Sequence, residues 1–406
     1  MEQIFRPARM VLPTVADMTK WSVVACDQYT SQPDYWARVE QTVGNAPSAL
    51  RLMLPEIYLE EADVEARIAD IRSSMEQYLQ TGVLTERDEA YIYVERQLPG
   101  GRVRRGLVGA VDLEAYDYAA GSASPVRATE GTIVSRIPPR VRVRAGAKLE
   151  MPHIMLLIDD PSDGVIGAVA AQKAALRQAY EFDLMENGGH IAGWFVTGGV
   201  CGGVLDGLGE LAAQSPMAFA VGDGNHSLAT AKACYEQIKL EMGAEAAASH
   251  PARWALCEVV NLHDASLEFE PIHRAVFDVD TGALFAALQA ELGLEPGSCG
   301  QTMTWVTADG ETTYTIAKPS AKLAVGSLQK ALDAYLDKNG GRVDYIHGAD
   351  TVRALAKDGA AGILLPAMDK ADLFPSVLAD GALPRKTFSM GEANEKRFYL
   401  ELRKIL

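Results

Sequence analysis

The segment MAFAVGDGNHSLATAKACYEQIKLEM, residues 217–242, joins a short apolar run, a turn with two glycines and a helical pattern. Met217 to Val221 has the length and composition of a buried strand. Beyond the turn, apolar residues recur at steps of three and four as far as Met242, which is the period of one helical face. The segment therefore predicts a strand, a turn and a helix in succession.

The turn itself, called the glycine turn below, is Gly222-Asp223-Gly224-Asn225-His226-Ser227. Its two glycines let backbone N–H groups approach an anion, and the dipole of the following helix favours negative charge there. Asn225 or Ser227 can cap that helix, while Asp223 and His226 supply a carboxylate and an imidazole for acid–base chemistry. The alternative is an ordinary strand–helix turn with polar caps. Acid, amide, imidazole and hydroxyl groups within five positions favour a site.

Composition limits the classes of function. The 406 residues are enough for two or three domains, and the net charge of −16 argues against a nucleic-acid-binding surface. An anionic substrate would then need a local cluster of cations. Five cysteines without CxxC spacing are typical of reduced thiols in the cytoplasm. The N-terminus lacks a signal-peptide pattern, and the most apolar stretch, 191–205, is broken by glycines, so we expect a cytoplasmic protein without a membrane partner.

A second informative segment, RATEGTIVSRIPPRVRVRAGAKLEMPHIMLLIDDP at 127–161, concentrates basic residues in an acidic chain. It predicts a cationic wall for phosphate, in which Arg136 or Arg140 can bind two oxygens at once. Because the pair Pro138-Pro139 opposes a continuous helix, the alternative is a solvated edge strand on which Arg140, Arg142 and Arg144 alternate. That alternation favours Arg136 as the phosphate contact.

Three further positions are candidates of the second rank. Asp27 follows a predicted strand at 21–26, Arg274 follows His273 beyond a predicted buried strand at 254–261, and Lys386 lies in a basic loop near the end. Each has an equally plausible structural explanation as a strand-end or surface-loop residue. The seven histidines are dispersed, and no zinc, EF-hand or P-loop motif is present, so no metal site is predicted.

The order of predicted elements gives the fold class. Strands and helices alternate, which predicts an α+β or mixed α/β fold. The pattern also predicts hairpins at 90–112 and 303–317 and a helix at 166–182. A change of character near residue 277 divides the chain into a main domain, 1–276, and a smaller C-terminal αβ region, 277–406, that packs back on the site.

Several of these motifs, in this order, resemble the domain-of-unknown-function 1015 family over nearly the whole chain. The family's Asp-Gly-His-His-Arg run is matched by the glycine turn, although Asn225 and Ser227 replace a histidine and the arginine. The other matching motifs are Glu130-Gly131-Thr132 with Arg136, His273-Arg274, and Pro384-Arg385-Lys386-Thr387.

The resemblance implies a ParB/sulfiredoxin-like core with a site similar to that of free-serine kinases. It further implies a phosphotransferase of serine metabolism that acts on serine or O-phosphoserine, with ADP or ATP and Mg²⁺. The amides from Gly224 to Ser227 would hold the phosphoryl group, with Gly222 and Asn225 beside it. Since the family arginine is replaced by Ser227, the cations Arg136, Arg274 or Lys386 would stand in for it.

The remaining roles complete the hypothesis. Asp223 or Glu130 would orient the serine hydroxyl and accept its proton, and His226 would bind or protonate a phosphate oxygen. Thr132 and Asp27 would contact the substrate. Two alternatives stay open: an O-phosphoserine phosphatase without a nucleotide, and a nucleotide-sensing regulator without turnover. The oligomeric state stays open as well.

Overall fold

The computed structural model describes residues 3–119, 121–151 and 153–406. The chain forms two compact units. Unit 1 is made of Met1–Ala128, Thr132–Leu267 and Glu392–Leu406, and unit 2 of Thr129–Gly131 and Glu268–Gly391. The predicted border at 276/277 falls at the end of a strand of unit 2, and the C-terminal segment returns to unit 1, where its strand Phe398–Tyr399 pairs with Val23–Val24.

Unit 1 is built on one large mixed sheet. Most neighbouring strands are antiparallel. Strand Met155–Ile158 has one parallel neighbour, Trp254–Asn261, and one antiparallel neighbour, Phe219–Asp223. The strand order is Arg177–Leu184, Gly189–Val196, Leu84–Gln97, Val103–Asp112, Trp254–Asn261, Met155–Ile158, Phe219–Asp223, Val126–Ala128 and Tyr116–Asp117, with Phe5–Arg6 and Ala8–Pro13 added at the side. Leu149–Glu150 pairs separately with Arg403–Lys404.

Helices cover this sheet, and two apolar clusters fill the spaces around it. The α-helices of unit 1 are Met18–Trp21, Pro33–Val43, Val64–Gln80, Ile137–Arg144, Ile166–Ala171, Gly198–Gln214, Asn225–Met242 and Ala244–Ala247. Its 3-10 turns are Ala49–Leu52, Glu56–Tyr58, Leu113–Ala115, Val134–Arg136, Lys173–Ala175, Pro251–Arg253 and Ala393–Glu395.

Two sequence predictions in this unit are wrong. Arg140, Arg142 and Arg144 do not alternate along an edge strand, because Ile137–Arg144 is a helix with proline in its first turn. Proline is tolerated there, since the first N–H groups of a helix have no intrahelical partner. The predicted helix at 166–182 ends at Ala171, and Arg177–Leu184 is a strand paired with Gly189–Val196.

Unit 2 is an antiparallel sheet with helices. Its strand order is Leu294–Pro296, Gly310–Ile316, Thr302–Thr307, Ala361–Leu364, Phe269–Phe277 and Arg342–His347, with Phe388–Met390 on Phe269–Phe277. Its helices are Thr281–Leu292, Ala324–Asn339, Ala349–Lys357 and Leu373–Asp380, with a 3-10 turn at Lys370–Asp372. A separate apolar cluster forms its core.

The predicted fold class is confirmed: the chain is a mixed α/β protein with several sheets. The hairpins predicted at 90–112 and 303–317 are present as antiparallel pairs. Across the residues that the structure describes, none of the helices has the length and apolar character needed to span a bilayer.

Candidate functional site

The glycine turn has the predicted geometry. Strand Phe219–Asp223 leads into Gly224, and helix Asn225–Met242 begins at the next residue. Gly224 has a φ of 76°, and a Cβ placed on it would lie 3.0 Å from the Cα of Ile154. Only glycine meets both demands without strain. The sharp turn leaves the first N–H groups of the helix at the end of the strand, where an anion can be bound.

Asp223 pairs with a lysine that the sequence did not point to. Its Oδ1 accepts the N–H of Gly224 at 2.9 Å, and its Oδ2 lies 3.2 Å from Nζ of Lys396. The backbone of Lys396 is in turn fixed by the buried guanidinium of Arg96, which donates to the carbonyl oxygens of Asn394, Glu395 and Lys396. The turn therefore has a cation held beside its carboxylate.

A buried histidine stands next to Ser227. Nε2 of His153 lies 3.4 Å from Oγ of Ser227 and 3.4 Å from Oδ2 of Asp27. Its Nδ1 lies 2.9 Å from the hydroxyl of Tyr399, and that hydroxyl donates to Sγ of Cys26 at 3.1 Å. A chain of polar contacts thus links the glycine turn to Asp27.

The charges along this series of polar contacts favour an ionised His153–Asp27 pair. Burial lowers the pKa of His153, but the neighbouring Asp27 carboxylate outweighs it, and the pKa is raised overall. Burial raises the pKa of Asp27, but His153 outweighs it and holds the pKa well below its usual range. Burial also raises the pKa values of Cys26 and Tyr399, so both stay protonated at neutral pH.

Three further polar side chains lie in the turn or in the segment that contacts it. Nε2 of His226 accepts the N–H of Ile133 at 3.3 Å, so this nitrogen carries no proton in that arrangement. Oδ1 of Asn225 and Oγ1 of Thr132 are buried and have no hydrogen-bond partner among the described residues. Buried polar atoms are nearly always bonded, so both atoms are available to a ligand or a water molecule.

A cavity of about 140 Å³ opens beside the turn. Its polar side includes His153, Ser227, Thr230 and Tyr399 and two ion pairs, Arg140–Glu56 and Arg144–Glu150, and the other side is apolar. The apolar lining consists of Leu52, Met53, Leu54, Leu59, Met75, Val143, Ala147, Leu149 and Met151. A pocket that combines an apolar side with convergent polar groups is typical of small-molecule sites.

The predicted cationic wall is only partly available. Three of its arginines form ion pairs: Arg140 with Glu56, Arg142 with Glu65 at 3.0 Å, and Arg144 with Glu150 at 2.5 Å. All three arginines lie on helix Ile137–Arg144, which packs on helix Asn225–Met242. Arg136 is exposed and has no side-chain partner within the described part of the chain. Its contact with phosphate stays a prediction.

Three predicted site residues belong to unit 2. Glu130 forms a bridge with Leu383, and Lys386 has a φ of 55°. Arg274 is fully buried, and its guanidinium donates to Gln329 and to the carbonyl oxygens of Ile272, Arg385 and Lys386. Burial lowers the pKa of Arg274 to about 10. This arginine orders the basic loop of its own unit, and the catalytic and phosphate-binding roles of the three residues stay predictions.

His153, Lys396 and Tyr399 are residues of the site that the sequence did not predict. A signal for His153 was present, because it is a histidine two residues before the buried strand Met155–Ile158. Lys396-Arg397 is a basic pair in a tail that contains both acidic and basic residues, so its charge does not stand out. Nothing in the local pattern pointed to Tyr399, which reaches the site because its strand pairs with Val23–Val24, just before Cys26 and Asp27.

The arrangement suits an anionic ligand better than a metal ion. Backbone N–H groups, Lys396 and His153 all favour negative charge. Mg²⁺ prefers free carboxylate and phosphate oxygens, but Asp223 and Asp27 already face cations. These residues of unit 1 therefore do not fit a dedicated Mg²⁺ site.

The fold is that of a mixed α/β protein in which a strand leads through a left-handed glycine into the N-terminus of a helix. The family described as "Protein of unknown function (DUF1015)" matches residues 5–335, and the chain belongs to that family. A search of curated proteins found no match.

Solved structures with a related shape include three at low identity. A conserved hypothetical protein from Pyrococcus furiosus is 12% identical, covers 69% of this chain and 93% of its own, and has a TM-score of 0.35. A free serine kinase variant in complex with ADP is 11% identical, with coverage of 71% and 92% and a TM-score of 0.39. SbnI from Staphylococcus aureus is 11% identical, with coverage of 70% and 82% and a TM-score of 0.39. Likeness at this level carries no argument about the chemistry of the site.

Proposed function

We propose that the protein is a phosphotransferase that moves a phosphoryl group between a nucleotide and free serine, in either direction. The observation that carries the proposal is the glycine turn: a left-handed glycine, a carboxylate and a helix N-terminus, with Lys396 and His153 beside them. Phosphoryl transfer demands positioning and neutralisation of charge more than covalent chemistry. A helix N-terminus with two nearby cations supplies both.

The chemical step assigns a role to each group. The serine hydroxyl attacks the terminal phosphorus, its proton passes to a carboxylate, and the bond from phosphorus to the bridging oxygen of the nucleotide breaks. Asp223 is the candidate base, because it is the carboxylate of the glycine turn and directly precedes the amides that hold the phosphoryl group. Glu130 is the alternative base. The amides from Gly224 to Ser227 hold the transferred group, and His226 contacts one of its oxygens.

The buried, unbonded oxygens support substrate binding at the same place. Oδ1 of Asn225 can accept a hydrogen bond from an ammonium or hydroxyl group, and Oγ1 of Thr132 can donate or accept one. Serine carries all the complementary groups. We assign Asn225, Thr132 and Asp27 to its recognition, and the apolar cavity beside Ser227 to the less polar part of the nucleotide.

One assay separates the candidate functions. The protein is incubated with O-phosphoserine, with and without ADP, and free phosphate, ATP and serine are followed. ATP and serine formed together, and only with ADP, is the expected result. Phosphate released without ADP would instead indicate a phosphatase. Nucleotide binding without any turnover would indicate a sensor and would contradict the proposal.

A further inference from the structure

We propose that His153 is an imidazolium at neutral pH that, together with Ser227, serves as the anion-binding cation of the glycine turn, so that the site takes a phosphate monoester as its dianion. The idea deepens the proposed function, and its ligand class rests on that function. The charge on the ring can be tested without reference to any reaction.

Hydrogen-bond partners on both sides of the ring favour two protons. Nε2 faces a carboxylate oxygen of Asp27 and the hydroxyl of Ser227, both at 3.4 Å, and a nitrogen in that position donates. On the other side, the single proton of Tyr399 is directed to Sγ of Cys26, and the same oxygen receives the backbone N–H of Cys26 at 3.3 Å. Nδ1 therefore donates to the tyrosine oxygen at 2.9 Å.

The charges around the ring favour the same state. Asp27, Asp223 and Glu56 act on it from three different elements, and Glu56 is itself paired with Arg140. Cys26 and Tyr399, the remaining titratable neighbours, stay neutral because burial opposes their ionisation. The ring is 4% exposed, so water screens these interactions little.

The charge state decides which ligand the turn can hold. With a charged ring, Lys396 and His153 balance Asp223 and Asp27, and the four groups sum to zero (+2 − 2). With a neutral ring the sum is −1, and a dianion entering the turn would be repelled. Ser227 can accept from Nε2 and still donate its own proton to a phosphate oxygen. The histidine thus supplies the positive charge, and the serine the hydrogen bond, that one arginine would otherwise provide.

The first test reads the ring directly. Long-range proton–nitrogen NMR of the histidine rings distinguishes an imidazolium from either neutral tautomer, and the His153 signal is identified by its loss in His153→Gln. We expect both nitrogens of His153 to be protonated at pH 7. A neutral tautomer at that pH would overturn the proposal, whatever the protein catalyses.

The second test uses binding. Titration calorimetry with O-phosphoserine and with inorganic phosphate, from pH 6 to 9, should show binding that weakens as the ring loses its proton. His153→Gln should bind about 10- to 100-fold more weakly at pH 6.5, the loss typical of one hydrogen bond to a charged group, and should lose most of the pH dependence. The matched control is His263→Gln, since His263 pairs with Asp159 at 2.7 Å but is partly exposed and outside the site.

The outcomes separate this inference from the proposed function. Binding with the expected pH profile but without turnover in the presence of ADP would contradict the phosphotransferase and leave the inference standing. Unchanged affinity in His153→Gln, or no binding of either probe by the wild-type protein, would overturn the inference. If His153→Gln does not fold, Ser227→Ala serves instead and should weaken binding several-fold with an unchanged melting temperature.

Discussion

Two regions of the molecule hold a buried cation in opposite ways. In unit 2, the guanidinium of Arg274 donates to three backbone carbonyl oxygens and one side-chain amide, and no part of it is exposed. In unit 1, His153 has two contacts of 3.4 Å through one nitrogen, and the neighbouring Asn225 keeps an unbonded oxygen. The first cation has four hydrogen bonds within its own unit for its five N–H donors, while the second lies among groups that can still bind a ligand.

The comparison shows what makes a polar cluster available for function. Arginine is fully satisfied when its donors are matched by acceptors of its own unit, and then it stabilises a loop. A turn that leaves N–H groups and side-chain oxygens unmatched keeps its binding capacity at some cost in stability. Arg274 lies within a strand and His153 shortly before one, and the pattern of partners separates the two regions.

The largest expected effect is on catalysis at the glycine turn. Asp223→Asn keeps the shape of the turn and removes the base, so the transfer rate should fall about 10²- to 10⁴-fold, while O-phosphoserine binding survives. Kinetics and a melting curve are measured together. Full activity at an unchanged melting temperature would eliminate Asp223 as the base and leave Glu130 as the candidate.

Arg274, whose donors are bonded within unit 2, should matter chiefly for stability. Arg274→Ala strands four acceptors and should destabilise unit 2 by about 3 kcal/mol or more. Hydrogen exchange of strand Phe269–Phe277 reports the local stability. Arg353→Ala is the matched control, because Arg353 is exposed and pairs with the surface carboxylates of Glu311 and Asp350, so its loss should destabilise unit 2 much less. Equal effects of the two variants would mean that the buried hydrogen bonds of Arg274 stabilise unit 2 no more than the surface ion pairs of Arg353.

The left-handed turn gives a third test. Gly224→Ala forces a side chain into a left-handed conformation and towards the Cα of Ile154, which should cost about 1–3 kcal/mol and weaken phosphate binding. Gly209→Ala, in helix Gly198–Gln214, meets nothing within 4 Å and should be neutral or slightly stabilising. Denaturant unfolding of the two variants measures the difference. A fully stable Gly224→Ala would show that the turn is not strained.

The smallest effect is a pH dependence of stability. The pKa of Asp27 is lowered by folding, so its contribution is present above about pH 4. The pKa of His153 is raised by folding, so its contribution is complete below about pH 6.5 and is lost as the pH rises through the folded value. Asp27→Asn should therefore cost about 1–2 kcal/mol between pH 5 and 6.5, and less at pH 9.

The control for this pH profile is Asp159→Asn, at the partly exposed pair with His263. Unfolding curves at several pH values should show a smaller loss for this variant, because water screens the pair. A penalty for Asp27→Asn that grows above pH 7 would reverse the sign expected from the His153–Asp27 pair.

Local patterns in the sequence determined the elements that are fixed by local physics. Apolar periodicity identified the strand and helix around the glycine turn, and turn residues identified the hairpin at 303–317. The prediction from Pro138-Pro139 was wrong, because proline in the first turn of a helix interrupts no intrahelical hydrogen bond. The segment after Ala171 was misassigned because its partner strand, Gly189–Val196, decides its conformation.

Tertiary structure alone decided which polar groups meet. The glycine turn could be predicted because its residues are contiguous, whereas His153, Lys396 and Tyr399 are brought to it by strand pairing and by the guanidinium of Arg96. Acceptors that are distant in sequence decide whether the donors of a cation are already matched or can still bind a ligand, as the carbonyl oxygens around Arg274 show. Sequence specifies residue types and local shape, but hydrogen-bond saturation and charge balance are properties of the folded chain.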